Sequence, residues 1–132
     1  MNFSGGCLCG DLRYESALGP EESGYCHCTI CRKSTGAPVL AFASFPAHSF
    51  IYVKGEPVLF QSSLNGQREF CRKCGTQICF RESREAKTVD VNSGTLDNPE
   101  NTAPQFHIYT GTRISWFDIA DQLPRHTHGP KT

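Results

Sequence analysis

The stretch Cys26-His27-Cys28-Thr29-Ile30-Cys31 places three thiols within six residues, and the rest of the chain reads outward from it. Cys7-Leu8-Cys9 lies upstream and Cys71-Arg72-Lys73-Cys74 downstream, so seven of the eight cysteines have one or two residues between neighbouring sulfurs. Such short spacings suit thiolates on a bound ion, and zinc is the natural occupant. The inventory is two, three and two. A structural zinc takes four closed ligands, whereas a catalytic zinc keeps three protein ligands and an open position. Joining Cys7 and Cys9 with Cys71 and Cys74 gives one closed four-sulfur site and leaves Cys26, Cys28 and Cys31 as an open three-sulfur site, hence two zinc ions. A competing division puts Cys26, Cys28, Cys71 and Cys74 around a single ion and leaves the others spare.

The surrounding composition is that of one ordered domain. At 132 residues the chain can bury roughly two thirds of its unfolded surface. Its twelve glycines and eight prolines suit a turn-rich globular protein. Thirteen basic and thirteen acidic side chains cancel, which offers no general attraction to nucleic acid or an anionic membrane. Loading four thiolates on one zinc and three on another takes the charge to about −3. No stretch approaches the ~18 apolar residues of a membrane helix, and Met1-Asn2-Phe3-Ser4-Gly5-Gly6 has no basic start or apolar run of a secretory signal. Cytoplasmic residence is the expectation, and disulfides fit poorly with it.

Taken in order, the remaining pattern is β. Glycines flank the first cysteine pair, where a backbone aiming two sulfurs at one ion needs unusual dihedrals. Leu12 and Tyr14 then alternate with polar neighbours as in a half-buried strand. Arg32 to Pro38 reads as a loop or one helical turn, and Val39 to Phe45 as a strand closed by Pro46. Phe50-Ile51-Tyr52-Val53 and Val58-Leu59-Phe60 flank Lys54-Gly55-Glu56-Pro57 and predict a hairpin. Arg68-Glu69-Phe70 and Gln77-Ile78-Cys79-Phe80 flank Cys71-Arg72-Lys73-Cys74-Gly75, the pattern of a zinc knuckle. Thr88 to Val91 and Gln105 to Thr110 read as further strands, Ile114 to Ile119 as a strand or helical turn, and the residues from Pro124 as a flexible tail. Seven to nine short strands with no long helix give an all-β, or mainly β, class.

These motifs carry a resemblance. Gly6-Cys7-Leu8-Cys9-Gly10, the run Cys26 to Lys33, Phe70-Cys71-Arg72-Lys73-Cys74-Gly75-Thr76, Gly94-Thr95-Leu96-Asp97 and Trp116 together resemble the glutathione-dependent formaldehyde-activating enzyme and centromere protein V family. The resemblance covers nearly the whole length and implies an Mss4-like, zinc-bound β-tent. It further implies a structural zinc on Cys7, Cys9, Cys71 and Cys74 and a catalytic zinc on Cys26, Cys28 and Cys31. The implied reaction joins or splits a carbon–sulfur bond between glutathione, as thiol co-substrate, and formaldehyde. The expected partners are therefore a small thiol and an aldehyde, with neither membrane nor nucleic acid. The alternative class is a non-catalytic zinc module for protein interaction, or a thiol or metal sensor.

Other residues divide between bland and sharp readings. Arg32 and Lys33 either offset thiolate charge or hold a substrate carboxylate. Ser34 and Thr35 either cap a turn or line the substrate pocket. His27 faces away from the metal if Cys26 and Cys28 face it, because neighbours on an extended segment point to opposite sides. His107 reads as a satisfied structural histidine, Cys79 as a buried thiol, and Trp116 and Phe117 as core.

Overall fold

The computed structural model describes residues 2–129, and they form ten strands, one short α-helix and four short 3-10 helices. In chain order these are β1 (Phe3–Gly6), β2 (Arg13–Ser16), β3 (Glu22–Cys26), α1 (Thr29–Thr35), β4 (Leu40–Pro46) and β5 (Phe50–Lys54). Then follow β6 (Val58–Gln61), β7 (Gln67–Phe70), β8 (Gln77–Arg81), β9 (Thr88–Asn92) and the two-residue β10 (His107–Ile108). A three-stranded sheet has the order β1-β2-β5, and a seven-stranded sheet the order β10-β3-β4-β9-β8-β7-β6. Every pairing is antiparallel except that of β10 with β3. The mainly β class expected from the pattern is the class observed.

The two faces of the seven-stranded sheet do different work, because successive side chains on a strand point to opposite sides. Ala43, Phe45, Val89 and Val91 enter the main core together with Leu12 and Tyr14 of the smaller-sheet segment. Their neighbours Phe42, Ser44, Asp90 and Asn92 line a cavity on the other side. Cys79 is buried in the main core, and burial beside the Glu69 carboxylate pushes its thiol well up. It therefore stays a protonated donor, with Sγ 3.2 Å from Glu69 Oε1.

The segment Gly94 to Asp97 ties the two sheets together. Thr95 Oγ1 lies 2.7 Å from the Tyr14 hydroxyl, Asp97 pairs with Arg13, and the Asp97 N–H donates to the Ser4 carbonyl at 2.9 Å. Gly5 bridges to Leu96 at this seam, and a Cβ on it would overlap the Tyr14 hydroxyl and the Thr95 carbonyl. Gly5→Ala is expected to cost about 2 to 3 kcal/mol, read as a lower urea midpoint with unchanged slope.

Three expectations are corrected by the fold. The hairpin around Lys54 to Pro57 does not form: β5 pairs with β2, and β6 pairs with β7. Gly55, at φ 74°, turns the chain where a Cβ would strike the Asp11 carbonyl, so the turn passes the chain from one sheet to the other. Trp116 is 74% exposed and Phe117 only partly buried, so neither is core; the stretch around them holds a single turn, closed by Phe117 N–H donating to the Ile114 carbonyl at 3.2 Å. The segment from Pro124 is hydrogen-bonded along its described length. His107 N–H donates to the Pro124 carbonyl, His126 N–H to the His107 carbonyl and Tyr109 N–H to the His128 carbonyl, each at 2.8 Å. Residues 130–132 of the expected tail lie outside the described residues.

Candidate metal centres and the adjoining cavity

Two loops of similar build bring the first four sulfurs together. Cys7 N–H donates to the Leu12 carbonyl and Cys71 N–H to the Thr76 carbonyl, so each loop closes five residues on. Gly10 (φ 85°) and Gly75 (φ 79°) supply the left-handed residue in each. The ligand atoms of Cys7, Cys9, Cys71 and Cys74 all lie within 4.8 Å of one another. The Cys7–Cys9 and Cys9–Cys71 sulfur separations are 3.6 and 3.8 Å. A tetrahedral zinc with bonds of about 2.3 Å spaces its sulfurs about 3.8 Å apart, so the donor set fits that ion.

Backbone amides point at these sulfurs. Leu12 N–H donates to Cys7 Sγ at 3.2 Å, and the N–H groups of Lys73 and Cys74 donate to Cys71 Sγ at 3.4 Å. The Thr76 hydroxyl accepts from Leu8 N–H at 3.1 Å and lies 3.2 Å from Cys74 Sγ, which links the two loops. Bonds from the Thr76 hydroxyl and N–H bring the Cys74 thiol down to about 5. Donors of this kind favour the thiolate, the form a metal takes.

The second group is built at the end of β3 and the start of α1. Cys28 caps the helix, its Sγ accepting from Cys31 N–H at 3.2 Å, and Gly36 (φ 70°) ends it by donating to the Arg32 carbonyl. The ligand atoms of Cys26, Cys28 and Cys31 also lie within 4.8 Å of one another. The competing division, with Cys26 and Cys28 beside Cys71 and Cys74, is not among these groups. Hydrogen bonds from Cys26 and Cys31 hold the Cys28 thiol well down, while bonds with Cys28 and Cys31, together with burial, push Cys26 up. The three sulfurs thus share protons as one unit, and full ionisation calls for a cation among them.

The three-sulfur group opens on a cavity of about 420 Å³, which Cys26, Cys28 and Cys31 line. None of the four-sulfur set lines it. Arg68, only 7% exposed, lies on its wall, with Nη2 3.8 Å from Cys31 Sγ and Nη1 donating to Ser34 Oγ at 3.1 Å. Its guanidinium stacks 4.7 Å above the Phe80 ring, and its Nε is buried without a partner. Tyr109 sits at the same wall with φ 56°, where its phenol is raised by burial and by the nearby cysteines.

The helix residues Lys33, Ser34 and Thr35 border depressions beside this cavity. Arg32, Lys33, Ser34 and Thr35 do not line that cavity. Lys33 and Ser34 border a neighbouring depression with Arg68 and Phe60, and Ser34 and Thr35 another beside Cys74. The Ser34 and Thr35 hydroxyls donate back to the Cys31 carbonyl at 3.1 and 2.7 Å. His27 is outside the sulfur group. Its Nε2 is 2.8 Å from His107 Nδ1, and His107 Nε2 is 3.0 Å from Asp121. With His107 donating to Asp121, His27 donates through Nε2, and burial lowers its pKa. Sequence reasoning missed Arg68, Asp90 and Tyr109. The trace they leave is slight: charges inside short strands, and a tyrosine just before Thr110-Gly111.

A mainly β chain with one closed four-cysteine group and one three-cysteine group on a cavity defines a thiolate-rich protein with two candidate zinc centres. The chain belongs to the glutathione-dependent formaldehyde-activating enzyme family, whose model matches residues 2–112. It is 24% identical over 126 residues to an uncharacterized lyase of Schizosaccharomyces pombe, covering 95% of this chain and 90% of that one. It is 23% identical over 128 residues to a Halomonas elongata protein provisionally named a glutathione-dependent formaldehyde-activating enzyme, covering 90% and 82% respectively. A crystal structure of a Rhodobacter sphaeroides protein superposes with a TM-score of 0.59 at 25% identity, covering 74% of this chain and 93% of that one. No described helix is long and apolar enough to cross a membrane.

Proposed function

We propose that this chain is a zinc-dependent carbon–sulfur lyase that forms or cleaves a thiol–aldehyde adduct, of which S-(hydroxymethyl)glutathione is the case nearest the family name. The observation that carries the reading is the contrast between the two sulfur groups. Four cysteines close on one another away from the cavity, whereas Cys26, Cys28 and Cys31 form part of its wall. In this reading Cys7, Cys9, Cys71 and Cys74 hold a structural zinc, and Cys26, Cys28 and Cys31 hold the reactive one.

A zinc bound by three thiolates supplies Lewis acidity, lowering a thiol's pKa or polarising a carbonyl. The chain's own residues do the rest. Arg68 sets a fixed positive charge beside Cys31, which favours the thiolate form there. Tyr109, one of the residues lining the cavity, keeps its proton. Phe42, Phe80 and Ile108 give the cavity an apolar portion that limits water around the reacting groups. In the forward direction the thiol sulfur bonds to the aldehyde carbon and the thiol proton passes to the former carbonyl oxygen. The reverse breaks that bond and returns both.

Calorimetric titration of glutathione into zinc-loaded protein tests this, with Cys28→Ser as control. Saturable binding in the parent and none in the variant is the expected result, followed by adduct exchange faster than the spontaneous rate. An absence of heat at millimolar glutathione, with both zincs confirmed, would sink the lyase reading for this thiol and favour a non-catalytic module.

A further inference from the structure

Strand register lays five residues of the seven-stranded sheet in one row across the cavity floor. Glu22 pairs with Ser44, Ser44 with Asp90, Asp90 with Phe80, and Phe80 with Arg68. All five line the cavity on which the three-cysteine group opens. The row is therefore polarised. Two carboxylates stand at one end, a guanidinium at the other, and an aromatic ring between.

These charges do not neutralise one another. Neighbouring strands are about 4.8 Å apart, so Asp90 and Arg68, two strands removed, have backbones about 10 Å apart. Among the described residues no ion pair joins Arg68 to any carboxylate, although its side chain is more than nine-tenths buried and its Nε has no partner. Among the described residues the Asp90 carboxylate receives one hydrogen bond, from Ser44 Oγ at 2.5 Å, and burial with Glu22 and Glu82 nearby raises its carboxyl. Arg68 has only the Cys31 sulfur beside it as an anionic neighbour, at 3.8 Å, so it and Asp90, two buried groups of opposite sign, face one cavity without meeting each other, which is costly. A ligand carrying both complementary charges would satisfy both ends.

We propose that Glu22 and Asp90 receive an ammonium group and Arg68 a carboxylate, so the thiol this cavity selects is a zwitterion whose charged ends lie several bonds apart across Phe80. The inference rests on the reading of the cavity as the thiol site. It assigns the specificity to sheet residues rather than to the helix residues Arg32 and Lys33. A single amino acid carries both charges on one carbon and cannot span the row. Glutathione can, since its γ-glutamyl ammonium and glycyl carboxylate lie at opposite ends with the sulfur between them; its second carboxylate, on the ammonium-bearing carbon, is assigned to no residue of the row.

The test pairs each protein charge with the ligand charge it is assigned. Zinc-loaded protein is titrated calorimetrically with glutathione, its desamino analogue and its glycyl ethyl ester. Each ligand change is expected to weaken binding to the parent by about tenfold, the scale of one charged hydrogen bond. Asp90→Asn should weaken glutathione by a similar factor and leave the desamino analogue unchanged, with Glu22→Gln acting in the same sense. Arg68→Met should abolish the difference between glutathione and its ester. Where that variant loses zinc from the three-cysteine group, the ester's affinity for the parent decides that end of the row. Equal affinity of all three ligands for the parent, or an Asp90→Asn loss that is the same with and without the ammonium, overturns the inference and leaves the lyase reading standing. Failure of all three to bind overturns both.

Discussion

Cys71→Ser is expected to remove one of two zinc equivalents and with it the cooperative fold. Cys71 is 1% exposed, accepts from two amides, and reaches a sulfur partner, Cys9, that is 62 positions away in the chain. A four-thiolate zinc contributes about 10 kcal/mol or more of binding free energy to folding. That is as large as the whole net stability of a typical domain, about 5 to 15 kcal/mol. Chelation of the parent should have the same result, a loss of the far-ultraviolet β signal and of the sigmoidal urea transition. Cys28→Ser provides the contrast, losing the other zinc equivalent while keeping a cooperative transition, because its group joins only β3 to the adjoining α1. A Cys71→Ser protein that unfolds at the parental midpoint would show that the core needs no such clip.

Arg81→Met should produce the second large effect, a loss of about 3 to 5 kcal/mol at neutral pH. Glu69 is 2% exposed and held on both oxygens, by Tyr52 and Cys79 on Oε1 and by Gln67 and Arg81 on Oε2, the last at 2.6 Å. Burial alone would raise its carboxyl, but the Arg81 bond and charge, with Gln67 and Tyr52, hold it below the usual range. In the parent this carboxylate contributes stability above the unfolded value of about 4.3, and that contribution is lost as pH falls through the lower folded value. Without Arg81 the buried charge is uncompensated, the carboxyl rises, and the sign reverses. The gap between parent and variant should be widest near pH 7 and narrow toward pH 4 in a series of urea midpoints. Adding Glu69→Gln to Arg81→Met should recover part of the loss at pH 7, and a gap independent of pH would refute the charge argument.

The parts of the molecule readable without a structure are those whose cause is local. A thiol pair with a glycine beside it specifies a ligand loop within a few residues, so the knuckle at Cys71 to Gly75 and the grouping of cysteines in the chain are plain from spacing. The strand β4 is equally plain, since seven mostly apolar residues end at Pro46. The same local logic failed at Lys54 to Pro57. Turn chemistry there shows that the chain bends, but which strand β5 pairs with depends on burying Phe50 against Tyr14, a residue 36 positions earlier. It failed also at Trp116, where aromatic character suggested core but the surrounding segment has no regular structure to carry it inward.

The division between chain and fold is sharpest at the candidate site. By themselves the residues determined a mainly β chain, seven thiols in three clusters, and the placing of His27 away from the sulfurs, because one-residue alternation and short spacings act over a few bonds. Only tertiary structure decided which cysteine clusters come within 4.8 Å of one another, which of them meets a cavity, and that Arg68 rather than Arg32 stands at its wall. The row from Glu22 to Arg68 is the clearest case. Its members are scattered from position 22 to position 90, none is remarkable in its own neighbourhood, and strand register alone brings them onto one floor. Register is set by the burial of whole strands against one another, an energy that no single stretch of the chain contains.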